Sequence, residues 1–318
     1  MIGRDIIVVG ASAGGVDALS RLVAQLPADL NAAVLIVLHI GAGASHLADI
    51  LNRAGKLPVS HPDDGEALLH GRIYVAPPDR HMMVEDGRIR LVPGPKENFC
   101  RPAIDPLFRS AALAYGERVI GVMLTGQLDD GSAGLLAIKD RGGIAIVQDP
   151  REAVAPSMPE SAAACTPVDH LCPLAEIGAL LVYYDPPDDP PPPSPGGSDP
   201  KNKAGATEAF VAGEEELAQL GTPSPLTCPE CRGVLYRLKD SRLLRFRCRA
   251  GHVMSGRTLL AAMGPAREGA TWSLIRALSE EAWLLRELEP GEKERINRLL
   301  EQAEMLRGSL GMDSRSAD

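Results

Sequence analysis

The chain has 318 residues, 45% of them apolar and 3% aromatic, with a formal net charge of −9. That apolar share excludes a wholly disordered or collagen-like chain, and the scarcity of aromatics argues against stacking platforms for single-stranded nucleic acid. The length suggests about two domains, and no stretch approaches the ~20 consecutive apolar residues of a membrane span, so a soluble, cytoplasmic protein without membrane insertion is expected.

The first half alternates short apolar runs with helix-like segments. IIVVG (6–10) precedes the helical VDALSRLVAQL, and AVLIVLH (33–39) precedes SHLADILNRAG. RVIGVMLTG (118–126) and GIAIVQD (143–149) flank GSAGLLAIKDRGG. Strands that are apolar throughout are buried on both faces, which is the habit of parallel strands covered by two helical layers. Between these runs, Asp86-Gly87 separates two alternating segments and reads as a hairpin turn. The expected fold is therefore α/β: a doubly wound, mostly parallel sheet carrying an antiparallel hairpin.

Gly10-Ala11-Ser12-Ala13-Gly14 follows the first strand and opens a helix, matching G-x-S-x-G, in which small neighbours let the chain turn sharply and expose the serine oxygen. A serine in the second glycine position and the lack of a lysine speak against dinucleotide and P-loop binding. The plain alternative is a serine that merely caps the helix. His39 ends the second apolar strand, and Asp130 lies in the loop after VIGVMLTG. All carboxyl ends of a parallel sheet share one edge, so Ser12, His39 and Asp130 can converge there. Serine needs a base to take its proton, and that imidazole needs a carboxylate to fix its tautomer. Taken singly, His39 could be a polar strand stop and Asp130 a turn residue; together the three favour a site.

From 186 to 205, prolines, glycines and charges replace apolar periodicity and mark a spacer. Residues 1–185 hold 15 basic and 22 acidic side chains, so the acidity sits mostly ahead of it. Beyond it, Cys228-x2-Cys231 and Cys248-x3-His252 flank an alternating hairpin, the spacing of a zinc ribbon. Four protein ligands leave no open position for water, so the zinc is expected to be structural, one per chain. Cys100, Cys165 and Cys172 lack paired spacing and read as buried or incidental thiols. The module from 228 to 257 carries eight basic and two acidic residues. Docking on an acidic partner or on the acidic first domain is favoured over nucleic-acid binding, since base-stacking aromatics are missing. TWSLIRALSEEAWLLRELE and KERINRLLEQAEMLRGSL have apolar residues at helical spacing about Pro290-Gly291, with Trp272 and Trp283 read as packing residues.

The pieces VVGASAGGVDAL, VLHI, RIYVAPPDRHM, RPAIDPLFRSAA, VMLTGQLDDGSAG and MPESA, in this order over about residues 3–182, resemble the catalytic domain of the CheB family, the chemotaxis protein-glutamate methylesterases. The resemblance implies Ser12 as nucleophile, His39 as general base and Asp130 as orienting acid. It implies hydrolysis of glutamyl methyl esters on a methylated chemoreceptor-like protein, with glutamine deamidation as a second activity and no cofactor needed for ester cleavage. The family commonly has threonine after the serine and methionine-glycine after LTG, where this chain has Ala13 and Gln127-Leu128. An oxyanion hole made of the Ala13 and Gln127 backbone N–H groups would survive both changes, because the amide donates whatever the side chain. Arg101, in the RPAID piece, is a candidate for positioning an acidic receptor segment, with an ordinary surface arginine as the alternative. The receiver domain common ahead of such domains is expected to be missing, since the first strand begins within the first ten residues, so control is expected from a partner, including a signalling partner of the zinc module, from the second domain, or from nowhere. The expected divisions are 1–184 for the CheB-like domain, 185–222 for the linker, 223–257 for the ribbon and 258–312 for a helical pair. The competing reading is a signalling adaptor that keeps the esterase fold for partner binding.

Overall fold

A computed structural model describes residues 3–41, 43–185, 214–239 and 242–310. The proline-rich stretch from 186 lies outside the described residues. The chain divides into two compact units, Met1–Thr258 and Leu259–Asp318.

In the first unit, seven parallel strands form one sheet. They are β1 (Ile6–Ala11), β2 (Ala33–Leu38), β3 (Val59–Ser60), β4 (Arg72–Val75), β7 (Val119–Met123), β8 (Ile144–Gln148) and β9 (His170–Cys172), in the order β3-β4-β2-β1-β7-β8-β9. β1 and β2 are buried at every position, as are β7 and β8. The period of two sends alternate side chains to opposite faces. Ile7, Val9, Val34, Ile36, Ile120 and Val122 meet Leu19, Leu22 and Val23 of α1 (Gly15–Gln25), Leu51 of α2 (Leu47–Ala54) and Ile177 and Leu181 of α6 (Leu174–Tyr184). Ile6, Val8, Leu35, Val37 and Met123 face Ile104, Leu107 and Phe108 of α3 (Ile104–Tyr115), Leu135 and Ile138 of α4 (Ser132–Asp140) and Met158 and Ala162 of α5 (Ser157–Cys165). The hairpin of β5 (His81–Glu85) and β6 (Arg88–Val92) packs Met82, Val84 and Ile89 into this second face. It is a two-stranded sheet of its own, and Asp86 and Gly87 at its turn both have positive φ.

The strand order reverses at β1: the chain moves from it to β2 on one side and later to β7 on the other. Ligands of open α/β sheets bind at such a switch point, beyond the carboxyl ends of the strands.

After α7 (Glu214–Leu220), a second sheet of four antiparallel strands has the order β10 (Gly221–Thr227), β11 (Val234–Leu238), β12 (Arg245–Cys248) and β13 (Val253–Ser255). Leu235, Phe246, Val253 and Met254 are its few buried apolar residues. The second unit comprises the rest of α8, which starts at Gly256 and ends at Leu288, and α9 (Lys293–Ser309). Ala282 and Leu285 there pack on Ile296. Trp272 and Trp283 are 39% and 59% exposed, so neither is the packing residue that helical spacing suggested. Leu260, Leu274, Leu284, Leu288 and Met305 of these helices are exposed as well.

Candidate active site

Ala11 and Leu38 are paired in the β1–β2 register, so Ser12 and His39 leave the sheet side by side. The Ser12 N–H donates to Thr125 O at 2.9 Å, and its carbonyl accepts from Gly15 N at 2.8 Å. The helix N-cap is Gly14, at φ 77°, with no side-chain cap. Ser12 is therefore free of the capping role, and its hydroxyl turns to the histidine. A Cβ on Gly126, in the loop after β7, would lie 2.9 Å from Ser12 Cβ and closer still to Met158. Only glycine lets that loop come so near the serine.

His39 Nδ1 lies 3.2 Å from Ser12 Oγ, and Nε2 lies 2.7 Å from Asp130 Oδ2. Since an ionised carboxylate only accepts, Nε2 carries the hydrogen, and in the neutral imidazole Nδ1 is left with the lone pair that faces the serine hydroxyl. Asp130 also accepts from Ile104 N at 2.6 Å, the first amide of α3, and from Asn98 Nδ2 at 2.9 Å. Burial opposes ionisation of Asp130, but the hydrogen bond and charge of His39, then the Ile104 and Asn98 donors, hold its carboxyl below the usual range. Burial likewise disfavours the charged imidazole, yet the hydrogen bonds to Asp130 and Cys100 and the Asp130 charge together outweigh it, and His39 is raised above its ordinary value.

Thr125 stiffens the nucleophile turn from behind: its Oγ1 donates to Ala13 O at 2.9 Å and accepts from Ala155 N at 2.8 Å. Among the described residues, no hydrogen bond engages the Ala13 or Gln127 N–H, so both amides are available to an incoming oxyanion. Among the described residues, no hydrogen bond joins Arg101 to Ser12, His39 or Asp130. Arg101 grips Asp79 with Nε at 2.8 Å and donates to Gly94 O at 2.6 Å, bracing the loop that leads into α3.

Sequence reasoning missed the buried polar cluster beneath Asp130. Asp105 lies next to it, and burial together with the charges of Asp130 and Glu97 pushes its carboxyl up to about 7. Burial would also raise Glu97, but its two-pronged pair with Arg109, 2.7 Å on each oxygen, and Arg245 at 3.0 Å hold it well below the carboxylate range. Asn98 joins the cluster to Asp130. These residues carry no spacing motif; the one local signal is an asparagine ahead of RPAID, a residue that tolerates the left-handed turn it occupies at φ 50°.

In the ribbon, Cys228, Cys231, Cys248 and His252 offer ligand atoms that all lie within 4.8 Å of one another. Cys231 Sγ and Cys248 Sγ are 3.5 Å apart, and His252 Nδ1 is 3.7 Å from Cys228 Sγ and 3.5 Å from Cys248 Sγ. A tetrahedron with Zn–S near 2.3 Å has edges of about 3.8 Å, so the donor set and its size both fit zinc. Arg232, at φ 62°, and Gly251, at φ 90°, turn the two knuckles that present these ligands.

A parallel α/β sheet with a serine, a histidine and an aspartate in hydrogen-bonding sequence at its carboxyl edge has the arrangement of a serine hydrolase. The family described as CheB methylesterase matches residues 7–181, and the chain belongs to that family. A Leptospira interrogans relative is 39% identical over 178 residues, 55% of this chain and 92% of its own length. A Paramagnetospirillum magneticum protein named protein-glutamate methylesterase/protein-glutamine glutaminase 1 is 40% identical over 179 residues, 54% of this chain and 47% of its own. The crystal structure of the Thermotoga maritima CheB methylesterase catalytic domain is similar with a TM-score of 0.55 at 32% identity, covering 57% of this chain and 99% of that one. The family match ends before the ribbon begins.

Proposed function

We propose that this protein hydrolyses glutamyl methyl esters on a chemoreceptor-like protein, releasing methanol, and deamidates glutamine at the same site. The observation that carries this reading is the continuous relay from Ser12 Oγ through His39 to Asp130, at 3.2 and 2.7 Å. His39 Nδ1 takes the hydroxyl proton as Ser12 attacks the ester carbonyl. The Ala13 and Gln127 amides receive the oxyanion, and His39 returns the proton to the departing methoxide. Water then attacks the acyl carbon, giving a proton to Nδ1, which passes it to the departing Ser12 Oγ as the acyl bond breaks and the glutamate is released. Asp130 keeps the imidazole in the tautomer this exchange requires and offsets the charge of the imidazolium.

Cys228, Cys231, Cys248 and His252 would hold a structural zinc, which supplies folding energy to the ribbon and no step of the hydrolysis. No described helix is long and apolar enough to cross a membrane. A cytoplasmic setting, with the cytoplasmic side of a receptor as substrate, accords with this reading. The ribbon's basic residues suit an acidic signalling partner.

The direct test incubates the full chain with receptor fragments carrying glutamyl methyl esters and follows methanol. Release at an enzymatic rate supports hydrolysis; tight binding without release supports the adaptor. The pH dependence has a defined sign. The base must be neutral to accept a proton, and Asp130 raises the His39 pKa above 6.5. The rate should therefore climb with pH along a limb centred above 6.5, whereas a limb at or below 6.5 would contradict the pairing. The same raised value gives a stabilising contribution that is full below pH 6.5 and is lost as pH rises through the folded-state value.

A further inference from the structure

The ribbon's last strand begins one residue after the ligand His252, and it lies directly on the residues that hold the catalytic aspartate. Asn98 N donates to Val253 O at 2.9 Å, and Ser255 N donates to Asn98 Oδ1 at 2.9 Å. The other end of the same carboxamide donates to Asp130 Oδ1. Asn98 thus bridges the ribbon backbone and the carboxylate that orients His39, and both its polar side-chain atoms are engaged. A second grip falls on the preceding residue: Ser255 Oγ and Thr258 Oγ1 donate to Asp129 Oδ1 at 2.8 and 2.6 Å. Beside them, Arg245 of β12 reaches the buried Glu97.

The turn that carries Asn98 depends on such support. Glu97 and Cys100 exchange backbone hydrogen bonds across Asn98 and Phe99, both left-handed, at φ 50° and 64°. Asparagine bears this conformation easily, but phenylalanine does not, and there it persists where neighbours over-determine it. The neighbours here are β13 on one side and Asp130 on the other. The ribbon, with few buried apolar residues, draws the rigidity of β13 from the ligand cluster that ties Cys248 and His252 to the Cys228 knuckle.

We propose that the metal-loaded ribbon is a built-in brace of the esterase, with Asn98 as the positioning residue through which metal occupancy sets the alignment of Asp130 and His39. This rests on the reading of Ser12, His39 and Asp130 as the catalytic array and of the four ribbon ligands as a zinc site. Loss of the metal, by chelation or by oxidation of the thiols, then lowers esterase activity without touching the catalytic residues.

The test uses the full chain with zinc bound, stripped by a chelator, and reloaded with zinc chloride, metal content being measured each time. Two readouts are followed: the rate at which a fluorophosphonate labels Ser12, and the downfield proton resonance of His39 Nε2–H shared with Asp130. Stripping should slow labelling by about ten- to hundredfold, the size of one lost hydrogen bond to a charged group, and broaden or shift the resonance, with recovery on reloading. Asn98→Ala, still carrying its zinc, should label as slowly as the stripped wild type and lose little more on stripping, because both changes remove the same link. Should Asn98→Ala not fold, the double variant Ser255→Ala/Thr258→Ala loosens the ribbon's hold from the other side and should show a slowed rate and an altered resonance with zinc still bound. Unchanged labelling and an unchanged resonance after stripping would overturn the proposal, as would effects of stripping and Asn98→Ala that multiply. If wild type with zinc fails to label at all, the catalytic reading fails instead, and the resonance still decides whether the ribbon holds Asp130.

Discussion

Ser12→Ala should reduce methanol release by about 10⁶-fold, to what the oxyanion amides and binding alone sustain. The serine supplies the atom that forms the acyl-enzyme, and its Oγ faces His39 Nδ1 at 3.2 Å. Folding should be spared. The residue's backbone bonds to Thr125 and Gly15 remain, its side chain caps no helix, and removal of a half-buried hydroxyl shifts stability by no more than about 1 kcal/mol. Labelling by a fluorophosphonate should vanish in the same variant. A variant that melts like the wild type and hydrolyses esters within tenfold of its rate would remove Ser12 from the mechanism.

Cys231→Ser should have the second large effect, on the ribbon. Structural zinc in such small modules contributes an apparent 10 to 16 kcal/mol at neutral pH, and a serine oxygen is a poor substitute for a thiolate. Zinc content should fall from about one per chain towards zero, and residues 221–255 should become open to proteolysis. The seven-stranded sheet has its own two-sided core and should survive, so its melting transition should persist while the ribbon is already open. Retention of one zinc together with a protease-resistant ribbon would rule out this ligand set.

The central strands could be read from the chain because parallel strands buried on both faces are continuous apolar runs, and IIVVG, AVLIVL and VIGVM are all of that kind. The small-residue turn at Ser12 and the cysteine pairs announce themselves by local spacing. Other features do not. The expected linker runs to 222, yet β10 begins at Gly221, and its two prolines, Pro223 and Pro225, sit at the edge of the ribbon, where a missing N–H is tolerated. Asn98 and Ser255 are 157 residues apart, and a hydrogen bond over that distance leaves no periodicity behind. The helical region was legible as helix, but the exposure of Trp283 depends on what lies opposite it, which no local pattern records.

The parallel arrangement of the sheet has one more consequence, for the order of events in folding. Ser12 and His39 are 27 residues apart, and His39 and Asp130 are 91 apart. No hairpin or local helix contact can bring such residues together: Ser12 and His39 meet once β2 has paired with β1, and Asp130 joins them only when β7 has paired with β1 across the intervening chain. Contacts of such long separation form slowly, because loop closure must precede them. A growing or half-folded chain therefore carries a serine and a base without the carboxylate that orients it, and hydrolytic competence arises only once the central strands β2, β1 and β7 have paired.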